Sequence, residues 1–179
     1  YQGTPVFEVQ LRSNDAGDIL YFRYYDASED AILNVAETYE FIINDIIGDV
    51  QNPMIYNFVH IILSFSNASS TGIDINYESN TEIAGFQFDV AGVTLTSASG
   101  GDSGENGFSI EFSSTVLGFN LSGETIPAGS GTLLSLEFEQ LSGYNILDVN
   151  NVVISGPGGF SIPSSGPGSI EIDPFYYNQ

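Results

Sequence analysis

Oxygen donors crowd three short stretches of the chain: Asp15 and Asp18 in "NDAGD", Asp26, Glu29 and Asp30 in "YDASED", and Asp102 and Glu105 in "GGDSGEN". Carboxylates set among small turn residues are the hard ligands calcium prefers, so each stretch is a candidate calcium loop, although none has EF-hand spacing. The competing reading is a solvated turn whose acidic side chains cap their own backbone. Nucleophilic chemistry finds less support. The single histidine, His60, lies inside the apolar run "FVHIIL", and the chain has neither a Gly-x-Ser-x-Gly elbow nor a cysteine. A serine or thiol nucleophile with its base is therefore not expected. Asp89, Glu111, Glu137 and Glu139 alternate with apolar residues, as outward-facing carboxylates on half-buried strands do, rather than standing as a paired acid and base. "SGPGG" and "SGPGS" contain proline and open no helix, so their glycines mark turns and not a phosphate cradle.

Two Asn-x-Ser triplets, at Asn67 and Asn120, are acceptor sequences for N-linked glycans. Sugar rings stack on exposed aromatics, and the chain has no tryptophan but ten tyrosines, including the pairs Tyr24-Tyr25 and Tyr176-Tyr177. Adjacent strand residues face opposite sides, so each pair offers one ring per face, and core or interface packing is the commoner fate of such tyrosines.

Charge narrows the partners. The 179 residues carry 23 acidic side chains against two basic ones, Arg12 and Arg23, for a formal charge of −21. Nucleic acid and anionic membrane surfaces are disfavoured as partners on this ground, since both are bound by cationic neutralisation of phosphate. Cations are the natural counterparts, so calcium is the one cofactor to consider, and assembly should respond to ionic conditions. No run approaches the roughly 18 apolar residues of a membrane-spanning helix. The absence of cysteine fits an extracellular chain that does not depend on redox state. Tyr1 in place of an initiator methionine is expected of a processed or excerpted chain.

Positioning these residues falls to strands almost everywhere. "TPVFEVQL" alternates and should form a hairpin with "ILYFRYY" across the "NDAGD" turn. "AILNV" and "YEFII" read as two further strands; a helix over this region is disfavoured by its β-branched and aromatic content. A boundary falls near residues 52–55, giving a small module over 1–54 and a larger one over 55–179. From Tyr56 the strands lengthen: "YNFVHIILSFS", "GIDINYES", "IAGFQFDV", "VTLTSAS", "GFSIEFSS", "TVLGFNLS", "LLSLEFEQL" and "NVVIS". Many strands with turn signals between them mark a sandwich or jelly roll. In "GFQFDVAGVTL", Phe86, Phe88 and Val90 should fill the space between two sheets, and Ala91-Gly92 should bend the chain in a new direction.

Three segments, "TEIAGFQFDVAGVTLTSASGG", "TVLGFNLSGETIPAGSGTLLSLEFE" and "LDVNNVVISGPGG", resemble in order the cohesin-like domains of large secreted bacterial proteins, which are related to cellulose-binding β-sandwiches. The resemblance covers roughly residues 58 to 172. "GDILYFRYYDASEDAILNVAETYEFIINDIIGDVQNP" resembles a short all-β repeat found beside such domains. These resemblances imply an all-β chain: an antiparallel β-sandwich of jelly-roll or cohesin-like type behind a small N-terminal all-β module.

Both ends carry strand-competent segments. Val6, Phe7, Val9 and Leu11 near one end, and Ile170, Ile172, Phe175, Tyr176 and Tyr177 near the other, would expose apolar groups and unpaired backbone if left alone. Strand addition to a neighbour disposes of both, and repeated head to tail it builds a filament. The expected function is thus a non-catalytic extracellular or cell-surface structural protein whose partners are copies of itself. The alternative is a cohesin-like or carbohydrate-binding module of a larger surface protein.

Overall fold

The structure is a computed structural model that describes residues 8–27, 30–143 and 145–172. The chain divides into two compact units, Tyr1–Val59 and His60–Gln179.

The first unit is built on a single antiparallel pair, β1 (Ile19–Asp26) and β2 (Ala31–Glu40). Residues 8–13 have no regular structure, so the expected hairpin between "TPVFEVQL" and "ILYFRYY" does not form among the described residues. β1 turns instead onto β2, where aromatic and β-branched residues sit on both members of the pair. β2 also joins into one strand most of what reads as two, ending at Glu40 before Phe41. The chain then returns along the far edge of β2. Val35 bridges Phe58, and Glu37 accepts from both the backbone and the side-chain amide of Asn57, at 2.8 and 2.6 Å. Rings follow the same path, with Phe22 5.2 Å from Tyr56 and Tyr24 5.2 Å from Phe58. Among the residues before Val59 whose burial is described, none is buried.

The second unit is a sandwich. One sheet contains β3 (Ile61–Ser66), β4 (Gly72–Ser79), β6 (Val93–Ser99), β9 (Gly129–Gln140) and β12 (Ser164–Ser165), in the order β12-β3-β4-β9-β6. The other contains β5 (Gly85–Ala91), β7 (Ser109–Phe112), β8 (Thr115–Phe119), β10 (Ile146–Ser155), β11 (Ser161–Ile162) and β13 (Gly168–Glu171). Its order is β11-β10-β5-β8-β7, with β13 sharing the outer edge of β10. Pairing is antiparallel throughout except for the short β12–β3 contact.

The period-2 pattern decides which side chains fill the interior. Phe88 is fully enclosed and Phe86 and Val90 nearly so, while Gln87 faces outward. Phe86 stacks between Phe88 and Phe108, with centroids 6.2 and 6.1 Å away. Its ring lies over Gly118 on the adjacent strand, where a Cβ would come within 2.1 Å of it. Ile75, Leu134 and Leu136 close the same interior from the opposite sheet.

Ala91-Gly92 is the bend expected from the sequence. β5 belongs to one sheet and β6 to the other, so these two residues carry the chain across the sandwich. Gly92 has φ +87°, and a Cβ there would sit 1.9 Å from the Ile146 carbonyl oxygen. Only glycine meets both demands. One element departs from the expected pattern: "GGDSGEN" holds a five-residue helix, α1 (Gly101–Glu105), in place of a plain turn.

Candidate interaction surface

The hairpin of the first unit has two different faces. Leu20 and Phe22 point to the side covered by the returning chain, whereas Ile19, Tyr21, Arg23 and Tyr25 alternate onto the other. Ile32, opposite Tyr25, extends that second face. Tyr21 is 80% exposed, Ile32 61% and Tyr25 57%, so large apolar and aromatic groups stand in water around a single guanidinium. Tyr25 donates to Asp30 at 2.7 Å, which fixes its ring and, with burial second, raises its hydroxyl pKa above the ordinary value. Tyr24 packs on Phe58, so the Tyr24-Tyr25 pair is split between the two faces.

The acidic side chains of the three candidate calcium loops are placed as follows. Asp102 accepts from the hydroxyl of buried Tyr77 at 2.7 Å, pinning α1 over the sheet. Burial first and this bond second push the Tyr77 hydroxyl well above its ordinary pKa. Glu105 is exposed at the end of α1. Asp18 accepts from the Ser13 hydroxyl and, at 3.4 Å, from the Asp15 backbone, as a turn carboxylate does. Asp30 is taken by Tyr25, Asp26 ends β1, and Glu29 lies outside the described residues. Among the described residues no three acidic or histidine side chains converge as a metal cluster.

The outer faces of the sandwich satisfy ionised carboxylates in a way the sequence did not announce. Asp89 accepts from Thr115 and from Asn151, Asp148 from Ser169 and Asn150, and Asp74 from Ser135 and Asn67. Each aspartate is thus spanned by one hydroxyl and one amide. The second unit, residues 60–179, contains no lysine or arginine, so neutral donors do what cations do on most surfaces. The amide of Asn151 first and the hydroxyl of Thr115 second hold Asp89 below its ordinary pKa; for Asp148 the order is Ser169, then Asn150. A depressed folded pKa stabilises above the unfolded value, and that stabilisation is lost as pH falls through the folded pKa. Asp89→Ala is therefore expected to lower the urea midpoint at pH 7, with the gap to wild type closing below about pH 4. A gap unchanged at pH 3 would show that the ionised carboxylate is not what matters.

The two glycan sequons are unequal. Asn67 is exposed at a turn with φ +51° and bonds Asp74 through its amide. Asn120 is folded in: its amide donates to the carbonyls of Asn106 and Gly107, and its oxygen accepts from the backbones of Ser122 and Glu124.

The interface candidates divide similarly. Val9 is exposed and Leu11 half-buried, both in the irregular lead to β1. Ile170, expected to face a neighbour, lies in β13 opposite Leu147 within its own chain. Ile172 is buried in the chain's own sandwich, its backbone bonded to Asn145. The two isoleucines serve the sandwich because β10 is long enough to accept β13 beside β11. Val6, Phe7, Phe175, Tyr176 and Tyr177 lie outside the described residues.

His60 is exposed immediately before β3. An open groove of about 310 Å³ between the edges of β6 and β7 is lined by Val93, Thr94, Leu95, Phe112, Ser113 and Ser114, with no ionisable side chain. Among the described residues no helix is long and apolar enough to cross a membrane.

No family model and no curated protein matches the sequence. Solved structures do. Cohesins are among them. A non-cellulosomal cohesin from the hyperthermophilic archaeon Archaeoglobus fulgidus is 13% identical with a TM-score of 0.43, covering 60% of this chain and 84% of its own. A type I cohesin–dockerin complex from Clostridium thermocellum gives 14% identity and a TM-score of 0.45, covering 64% of this chain and 93% of the other. The likeness is one of similarity alone, and the β-sandwich rests on the strand pairing described above.

Proposed function

We propose that the chain is a non-catalytic extracellular structural subunit whose copies join head to tail by adding a terminal strand of one to the sheet of the next. The observation that carries this is the outer edge of β1. Eight residues of strand, in a unit where no residue of described burial before Val59 is buried, have no ladder partner on that side among the described residues. A two-stranded sheet is marginal in water, and an open edge is a template for another strand. Adding one satisfies backbone groups and covers side chains at once.

Since Gly168–Glu171 pairs with β10, the donor is the segment beyond Ile172, with Phe175, Tyr176 and Tyr177 as anchors, or the segment Pro5 to Leu11. Negative-stain microscopy and sedimentation of the full chain, of a form lacking residues 173–179 and of a form lacking residues 1–11 test this. Regular fibres from the full chain and folded monomers from one deletion are expected. Fibres from both truncated forms sink strand exchange. A full chain that stays monomeric under all salt conditions favours a binding module for a separate partner.

A further inference from the structure

Strand exchange makes no use of the two Asn-x-Ser triplets, and the fold treats them differently. We propose that Asn67 carries an N-linked oligosaccharide and that Asn120 carries none. The inference rests on the extracellular part of the proposed function, because such sugars are added to chains that leave the cell, and it does not depend on how copies join.

The chemistry of the linkage separates the two. Transfer joins the asparagine Nδ2 to the anomeric carbon of a sugar held on a lipid phosphate. The bond from that carbon to the phosphate oxygen breaks, its electron pair leaves with the lipid phosphate, and one Nδ2 proton passes to a base of the transferase. A carboxamide thus begins with two N–H donors and ends with one. A linked asparagine suits a fold that needs no more than one of its amide hydrogens. Asn67 meets this condition: it donates to Asp74 at 2.7 Å, and among the described residues no second acceptor takes its amide. Asn120 does not. Its amide donates to the carbonyls of both Asn106 and Gly107, at 3.0 Å each, so a sugar there breaks one of the two bonds.

Position separates them further. Asn67, Ala68 and Ser69 are all exposed in the turn between β3 and β4, and the φ of +51° at Asn67 is the left-handed conformation that asparagine tolerates. The side-chain bonds of Asn67 and Ser69 reach no farther than Asp74 and Gly72, so this hairpin can close around a sugar attached beforehand. Asn120 is half-buried, and its amide reaches back 14 and 13 residues to the segment that follows α1.

The surface beside Asn67 also suits a saccharide. Ser66, Asp74, Ser135 and Ser99 pair successively across β3, β4, β9 and β6, so they form one row. Each alternates with buried neighbours along its strand, which turns the row outward. The Asn67 amide lies against Asp74 within that row, and the row holds only hydroxyls and a carboxylate, the groups that bond sugar hydroxyls.

Mass spectrometry of chymotryptic peptides from the chain taken from its natural source tests both halves of the proposal. The peptide holding Asn67 should be heavier than its sequence by the mass of whole sugar residues, and the peptide holding Asn120 should have its plain sequence mass. Asn67→Gln made in the same source should lose the added mass; the wild-type spectrum decides the matter even where that variant does not accumulate. A bare Asn67 peptide overturns the proposal, and a sugar on Asn120 overturns the choice between the two. Fibres whose Asn67 is bare leave strand exchange standing and sink only this inference, whereas a monomer glycosylated at Asn67 does the reverse.

Discussion

Phe86→Ala is expected to lower the unfolding free energy of the sandwich by about 3 to 5 kcal/mol, the range for removing a large buried ring. The ring is 2% exposed and is held on three sides: Phe88 along its own strand, Phe108 before β7, and the bare backbone of Gly118 beneath it. None of these neighbours can close the vacancy cheaply. Phe88 is itself fully buried, and Gly118 has no side chain to offer. Guanidinium unfolding followed by tyrosine fluorescence measures the effect. A loss below about 1 kcal/mol would mean that the cavity collapses and that the stack is not a packing centre. Gly118→Ala serves as the companion variant, since its methyl must displace the same ring.

Gly92→Val should cost more, about 4 kcal/mol or above, and leave little folded sandwich at 25 °C. Two penalties combine. A β-branched residue at φ +87° is strained, and its Cβ would collide with the Ile146 carbonyl oxygen, which belongs to a strand paired on both edges. The backbone must move, and with it the crossing from one sheet to the other. Dispersion of amide resonances in a one-dimensional proton spectrum reports whether the sandwich forms. A variant with native dispersion and a wild-type midpoint would show that the bend tolerates another geometry.

Alternation made the sandwich legible. In "GFQFDVAGVTL" the period-2 pattern alone assigns Phe86, Phe88 and Val90 to the interior, and the break at Ala91-Gly92 marks the change of sheet. Pairing was less legible. "TPVFEVQL" has the pattern of a strand, but a pattern names no partner, and the described part of it pairs with nothing while β1 turns to β2. Five residues of α1 are too few to display a helical period, so "GGDSGEN" reads as a turn. What the acidic loops bond within the chain was not legible either: the Tyr77 hydroxyl that donates to Asp102 comes from a strand 25 residues earlier. The hydroxyl and amide that span Asp89 lie 26 and 62 residues away, at a distance only sheet register reveals.

The placement of both arginines in the hairpin unit has a consequence for durability. A protease that cuts after lysine or arginine finds in this sequence only the bonds following Arg12 and Arg23, and the sandwich from His60 onward offers it none. Amine-directed reagents and carbonyl adducts likewise meet no lysine there. A surface whose carboxylates are balanced by hydroxyls and amides thus gives up the side chains through which secreted proteins are most often cleaved or glycated. If the hairpin and the irregular lead before it are both covered in an assembled fibre, the two remaining bonds are shielded as well, and resistance to digestion becomes a property of the polymer.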